Sequence, residues 1–175
     1  MSNRDRAAHS LGVAKLMARL AGDVGGVDQG EAFPAGWLHD VGYCAAGDED
    51  HARVGASMLR RGFRARSRIA AVVRSHGAPI DGDYGDHIII GRLLALLDVC
   101  DMSVSSDGML VSFDERRTCV TSRHGSGSEQ AKRFDETPEQ VRETRTWSLM
   151  EPALELLLAD DSKRDVAGWP DEVEA

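Results

Sequence analysis

Almost nothing in this sequence favours a β-strand. Met109-Leu110-Val111 is the one candidate, and three residues are too few to build a sheet. Aromatic residues make up 5% of the chain, which leaves no stacking platform for single-stranded nucleic acid. Positive charge is in deficit: 21 Lys and Arg against 29 Asp and Glu give a net charge of −8. That balance argues against a general nucleic-acid or membrane-surface binder. No apolar run approaches the roughly 18 residues of a membrane span. Met1-Ser2-Asn3-Arg4-Asp5 is polar and lacks the apolar stretch of a signal peptide. Cysteine is scarce: Cys44, Cys100 and Cys119 are odd in number and not at zinc-finger spacing. They read as reduced thiols, so a cytoplasmic protein is expected.

What the sequence does contain is helical periodicity over its first 105 residues, enough for one domain with a real core. His9, Gly12, Val13, Leu16 and Leu20 share one face of a helix from about Asp5 to Ala21. Four glycines between Gly22 and Gly30 mark a loop. A second helix is predicted over about Glu31–Val41, with Pro34 tolerable only near its first turn and Gly42 as the stop. The acidic run Gly47-Asp48-Glu49-Asp50 precedes a third helix, whose stripe is His51, Val54, Gly55, Met58 and Leu59. Ile69, Val72, Val73 and His76 align on a fourth helix. Gly77-Ala78-Pro79 and the turn-rich Asp81–Gly85 follow it. His87, Ile90, Gly91, Leu94, Leu97, Asp98 and Asp101 align on a fifth. Residues 106–175 read as a helical extension of the 1–105 core. Ser112-Phe113-Asp114-Glu115 matches a capping box, and Thr137-Pro138 is a helix start. Trp147, Met150, Leu154 and Leu157 share a later face that Pro152 should kink or restart. The chain from about 160 is acidic and expected to fray.

Polar residues sit on these apolar stripes where they are costly. Asp98 is flanked by Leu94, Leu97 and Val99, and a carboxylate buried there must be protonated, paired or bound to a cation. A salt bridge to an arginine such as Arg92 explains Asp98 alone equally well. Any one of His9, His51 or His76 is ordinarily a satisfied core histidine, and Asp40 alone is ordinarily a helix cap or ion-pair partner. A shared cation accounts for all of them at once. Helical bundles build metal sites from inward-pointing ligands on facing helices. Imidazoles and carboxylates together favour Mn, Fe, Co, Ni or Zn over Ca.

The order His9 … His39-Asp40 … Asp98 resembles the HD-domain phosphohydrolase superfamily. His39-Asp40-Val41-Gly42 is similar to that family's His-Asp-(Ile/Val)-Gly signature, and His51-Ala52-Arg53-Val54-Gly55-Ala56 to its His-x-x-x-Gly-Ala segment. Ser75-His76 and Leu97-Asp98-Val99-Cys100-Asp101 resemble its fourth- and fifth-helix segments. The resemblance covers about residues 5 to 105. It implies an all-α bundle of five core helices, to which the extension adds C-terminal helices. It implies one divalent metal held by His9, His39, Asp40 and Asp98. His51 and His76 stand where a second ion would be held. The chain departs from the cyclic-dinucleotide branch, because Gly77 follows His76 in place of a second histidine. The implied activity is hydrolysis of a phosphate ester, of a nucleotide or another small phosphorylated metabolite. Asp40, His51, His76 and Arg53 are the candidate catalytic residues. A catalytically silent nucleotide-binding module and a di-iron oxygenase are the alternatives.

Between Arg53 and Arg74 stand seven arginines with no acid or lysine among them. Most read as a solvated basic face, while one or two could clamp an anionic substrate. Asp101 reads either as a residue that orients a ligand or as an exposed helix-end acid. Cys44 and Cys100 read as small core fillers, and His124 as a loop residue with no evident partner. His87 lies about three turns before Asp98, too far to share its ion. The partner expected is a small phosphorylated molecule rather than nucleic acid or membrane, and a homo-oligomer is left open.

Overall fold

The computed structural model describes residues 3–45, 51–62, 67–77, 88–128, 130–132, 134–135, 142 and 145–170. The acidic run at 47–50, the turns at 81–85, His87 and the helix start at Thr137-Pro138 lie outside them. The fold is all-α. Among the described residues there is no strand, and Met109 and Leu110 form only isolated bridges to Asp165 and Val104.

The elements follow the sequence periods. Helix α1 spans Asn3–Leu20, α2 Gln29–Leu38, α3 His51–Gly62, α4 Ser67–Ser75 and α5 Ile88–Ser103. Helices α6 (Phe113–His124) and α7 (Arg145–Leu158) come from the extension. A short 3₁₀ turn, Val41–Cys44, joins α2 towards α3. Helix α2 starts two residues before the periodicity predicts, because Asp28 caps it by accepting the Gly30 N–H at 2.8 Å. Pro34 therefore falls mid-helix, where the carbonyl it leaves unbonded belongs to exposed Gly30 and can meet water. Helix α7 runs through Pro152 without restarting. The capping box at Ser112 is present: its hydroxyl accepts the Glu115 N–H, and Glu115 Oε2 accepts the Ser112 N–H at 2.7 Å.

Helix α1 is the central element, packed against α2, α5 and α7. Leu16, Met17 and Leu20 from α1 are fully buried with Leu59, Val72 and Val73 from the third and fourth helices. Each such side chain contributes about 1.5–3 kcal/mol on leaving water. Leu110, Met150, Leu154 and Val166 join the same apolar cluster, so the extension shares the core. No helix among the described residues is long and apolar enough to cross a membrane.

Two glycines set the spacing around His39. A Cβ at Gly36 would come within 2.7 Å of the Ala14 Cα, so α2 lies directly on α1. A Cβ at Gly42 would lie 1.8 Å from the His51 carbonyl oxygen and 2.7 Å from the Gly55 nitrogen. Both obstacles are backbone, which cannot swing aside. The glycine of the His-Asp-Val-Gly run and that of the His-x-x-x-Gly run are thus two sides of one contact. Gly42→Ala is expected to lower stability by about 2–3 kcal/mol in urea denaturation. Gly25→Ala, with nothing within 4 Å, should stay within about 0.5 kcal/mol.

Candidate metal centre

Three of the four imidazoles at the centre are fixed by backbone carbonyls. His9 Nδ1 lies 3.2 Å from the Ser105 carbonyl, His39 Nδ1 2.7 Å from that of Gly36, and His76 Nδ1 2.6 Å from that of Val73. A carbonyl only accepts, so each Nδ1 carries the proton and donates it. Each Nε2 is then the nitrogen that faces inward. This is the arrangement in which a histidine presents Nε2 to a metal while its other nitrogen is held from behind.

The inward atoms form two adjoining groups, each with its ligand atoms within 4.8 Å of one another: His9, His39 and Asp101, and Asp40, His51 and His76. In the first, His9 Nε2 is 2.9 Å and His39 Nε2 3.8 Å from Asp101 Oδ1. In the second, His51 Nε2 and His76 Nε2 are 3.1 Å apart, and each is 3.7 Å from Asp40 Oδ1. The groups meet where His39 Nε2 stands 3.5 Å from Asp40 Oδ1. His39 Nε2 is buried and has no hydrogen-bond partner.

The electrostatics are those of a cation site. Burial lowers the His39 pKa against the pull of Asp40 and Asp101, so the ring stays neutral. Burial alone would raise the Asp40 pKa, but the His39 and His76 imidazoles outweigh it and hold the carboxyl well below the usual range. Asp101 is held low in the same way: burial is overcome by His9, then His39 and Arg116. His76 runs the other way, since burial is outweighed by the Asp40 carboxylate. Ionised carboxylates and imidazole nitrogens therefore face one another around a shared centre, and a divalent cation suits that donor set. Cys100 is not in either group; burial, then Asp101, pushes its thiol pKa up, which makes it a core residue.

Of the residues expected to ligate, His9, His39 and Asp40 converge, and His51 and His76 converge with Asp40. Asp98 does not join either group. It is 3% exposed, and its Oδ1 accepts the Gly77 N–H at 3.1 Å, steadying the end of α4 beside His76. Asp101, one turn on, occupies the position expected of Asp98. The substitution has a physical cause: Leu93 through Cys100 are all buried, so an apolar stripe carries no phase with which to choose between Asp98 and Asp101. Arg53 is likewise elsewhere. With Ser57, Arg60, Arg61 and Arg74 it lines a separate groove of about 810 Å³ that contains none of the converging ligands.

A cleft of about 210 Å³ opens over the two groups. Tyr43 lines it, stacked on the His51 ring at 3.9 Å and 9°, and Arg6 covers Tyr43 with its guanidinium 3.7 Å from the ring centre. Arg116, also buried in the lining, has Nη2 3.8 Å from Asp101 Oδ1 and Nε donating to the Asp101 carbonyl at 3.4 Å. None of these three carried a sequence signal, because each is an ordinary residue until the fold brings it to the cleft.

A family model described as HD domain matches residues 6–103, more than half of the chain. Ribonuclease Y of Sulfurovum sp. (strain NBC37-1) is 39% identical over 72 residues, which are 40% of this chain and 14% of that protein. The chain thus spans a small part of the length of that relative. No solved structure matches.

Asp101→Asn is expected to weaken binding of Mn²⁺ or Co²⁺ by about tenfold or more in calorimetric titration, while Asp98→Asn stays within about threefold. Saturating metal should raise the melting temperature of the wild-type protein, and a chelator should reverse the rise. At a hundred times the dissociation constant the gain is about 2.7 kcal/mol.

Proposed function

The chain belongs to the HD-domain family, and from that premise we propose that it is a metal-dependent phosphohydrolase cleaving a phosphate ester of a nucleotide or other small phosphorylated metabolite. The reading rests on one observation above the rest: five histidine and aspartate side chains converge on the buried His39 Nε2 and its surroundings, a donor set that fits a divalent cation. His9, His39 and Asp101 would hold one divalent transition metal, and Asp40, His51 and His76 would hold a second. Such a metal supplies a Lewis acid for the phosphoryl oxygens and a lowered pKa for water beside it.

The chain's own residues do the rest. Asp40, kept ionised by its imidazole neighbours, accepts a hydrogen bond from the attacking water and takes its proton. The water oxygen forms the new bond to phosphorus while the ester P–O bond breaks. The proton that the leaving oxygen takes up comes from solvent in the open cleft, while His51 stays with Asp40 and His76. The Tyr43 ring fixes the plane of His51. Arg116 steadies both the carboxylate and the carbonyl of Asp101. The partial relative, ribonuclease Y, bears a name that refers to RNA, which supports a nucleotide-linked phosphate as substrate class.

The test pairs elemental analysis with a phosphate-release screen over nucleotides and sugar phosphates, run with added Mn²⁺, Co²⁺ and Ni²⁺. Wild type should retain metal and release phosphate; Asp40→Ala should lose both, the rate by about a hundredfold or more. Equal metal and equal release in the two proteins would overturn the proposal. Retained metal with no release from any substrate would replace it with a silent binding module.

A further inference from the structure

The mouth of the cleft carries positive charge that the metal centre does not use. On α1, Arg6 lies one turn before His9 and on the same face. On α6, Arg116, Val120, Arg123 and His124 stand at offsets of 0, 4, 7 and 8, a single stripe, and all four line the cleft. Arg116 is occupied with Asp101. Arg6 and Arg123 have no ion-pair partner among the described residues: Arg6 rests on the Tyr43 ring, and Arg123 donates to the Ser106 hydroxyl at 2.8 Å. In a protein of net charge −8, two guanidiniums facing one small opening create a local field of the opposite sign. Of the three cleft carboxylates, Asp40 and Asp101 are engaged by the converging imidazoles and Asp98 accepts the Gly77 N–H, and a bound cation would add to the positive balance. What the rim lacks is an anion.

Spacing narrows the anion. Arg116 marks the metal end of the α6 stripe, and Arg123 follows seven residues later, about 10 Å along the axis. That interval suits a second phosphoryl group carried on a sugar-sized spacer from the one at the metal centre. The cleft volume of about 210 Å³ holds such a molecule only in part, leaving its far end at the rim.

We propose that Arg6 and Arg123, with His124 next to Arg123 on α6, form a second anion subsite in the outer cleft, so that the preferred substrate carries a second phosphoryl group apart from the one cleaved. The proposal rests on the hydrolase reading for turnover and on the cleft geometry alone for binding. A charge-assisted hydrogen bond of this kind is ordinarily reflected in a tenfold or greater preference.

The experiment compares adenosine 5′-monophosphate with adenosine 3′,5′-bisphosphate on metal-loaded wild type, Arg6→Gln and Arg123→Gln, with Arg19→Gln as a remote control. Phosphate release gives kcat/KM, and calorimetry gives affinity. Wild type and Arg19→Gln should prefer the bisphosphate by about tenfold or more, and each rim variant should cut that ratio to about threefold or less. No preference in wild type, or a ratio unchanged in both rim variants, overturns the subsite. If neither compound is hydrolysed, the hydrolase reading is left to the wider screen, and the subsite is judged on affinity by the same ratio.

Discussion

Everything at the centre of this protein depends on backbone carbonyls that accept the Nδ1 protons of His9, His39 and His76. Those bonds decide the tautomer of each ring, and the tautomer decides which way the lone pairs point. Gly36 and Val73 are three residues before the histidines they hold, so a helical turn supplies the acceptor without further design. A buried imidazole nitrogen with no donor facing it is costly. At His39 that nitrogen faces the carboxylates of Asp40 and Asp101 within 4 Å, so electron donors alone converge there. The result is a site complete in shape and incomplete in charge, which is the condition a cation relieves.

Close backbone packing brings those rings together. His9 belongs to α1 and His39 to the end of α2, with ring centres 5.4 Å apart. That separation follows from Gly36 lying on Ala14. Asp40 and His51 come from segments that meet at Gly42 and Gly55. A side chain at Gly36 or Gly42 would push apart ligands of one group without altering any ligand. The motif residues thus divide into those that supply electrons and those that supply only proximity.

Much of this was legible in the chain. The helical periods place α1 through α5 and the capping box of α6, and the alignment of His9, His39-Asp40, His51 and His76 with apolar stripes identifies the polar centre. What the periods do not carry is phase on a helix buried all round, which is why Asp101 stands where Asp98 was expected. Nor do they carry the destination of an exposed arginine. Arg53 shares a segment with His51 yet turns to another groove, while Arg6 and Arg116, far apart in sequence, reach the same cleft. A cap hidden in a loop, Asp28, moved the start of α2 and turned Pro34 from a first-turn residue into an interior one.

The family match ends at residue 103, but the site does not. The carbonyl that sets His9 belongs to Ser105, whose own N–H donates to the Met109 carbonyl at 2.8 Å. That turn is tied to the C-terminal segment: Leu110 N–H donates to the Arg164 carbonyl at 2.6 Å, and Ala167 N–H to that of Gly108 at 3.1 Å. Lys15, buried on α1, donates to the Ala167 carbonyl at 3.1 Å and to that of Trp169. Arg116, which steadies Asp101, comes from α6. The chain beyond the family match therefore orients one ligand, braces another and walls the cleft. A common core supplies the donors, and the segment outside it governs how they are aimed and what meets them at the cleft mouth. Differences in substrate among chains with the same core are then expected to arise in segments such as this one, where residues can change without disturbing the ligands.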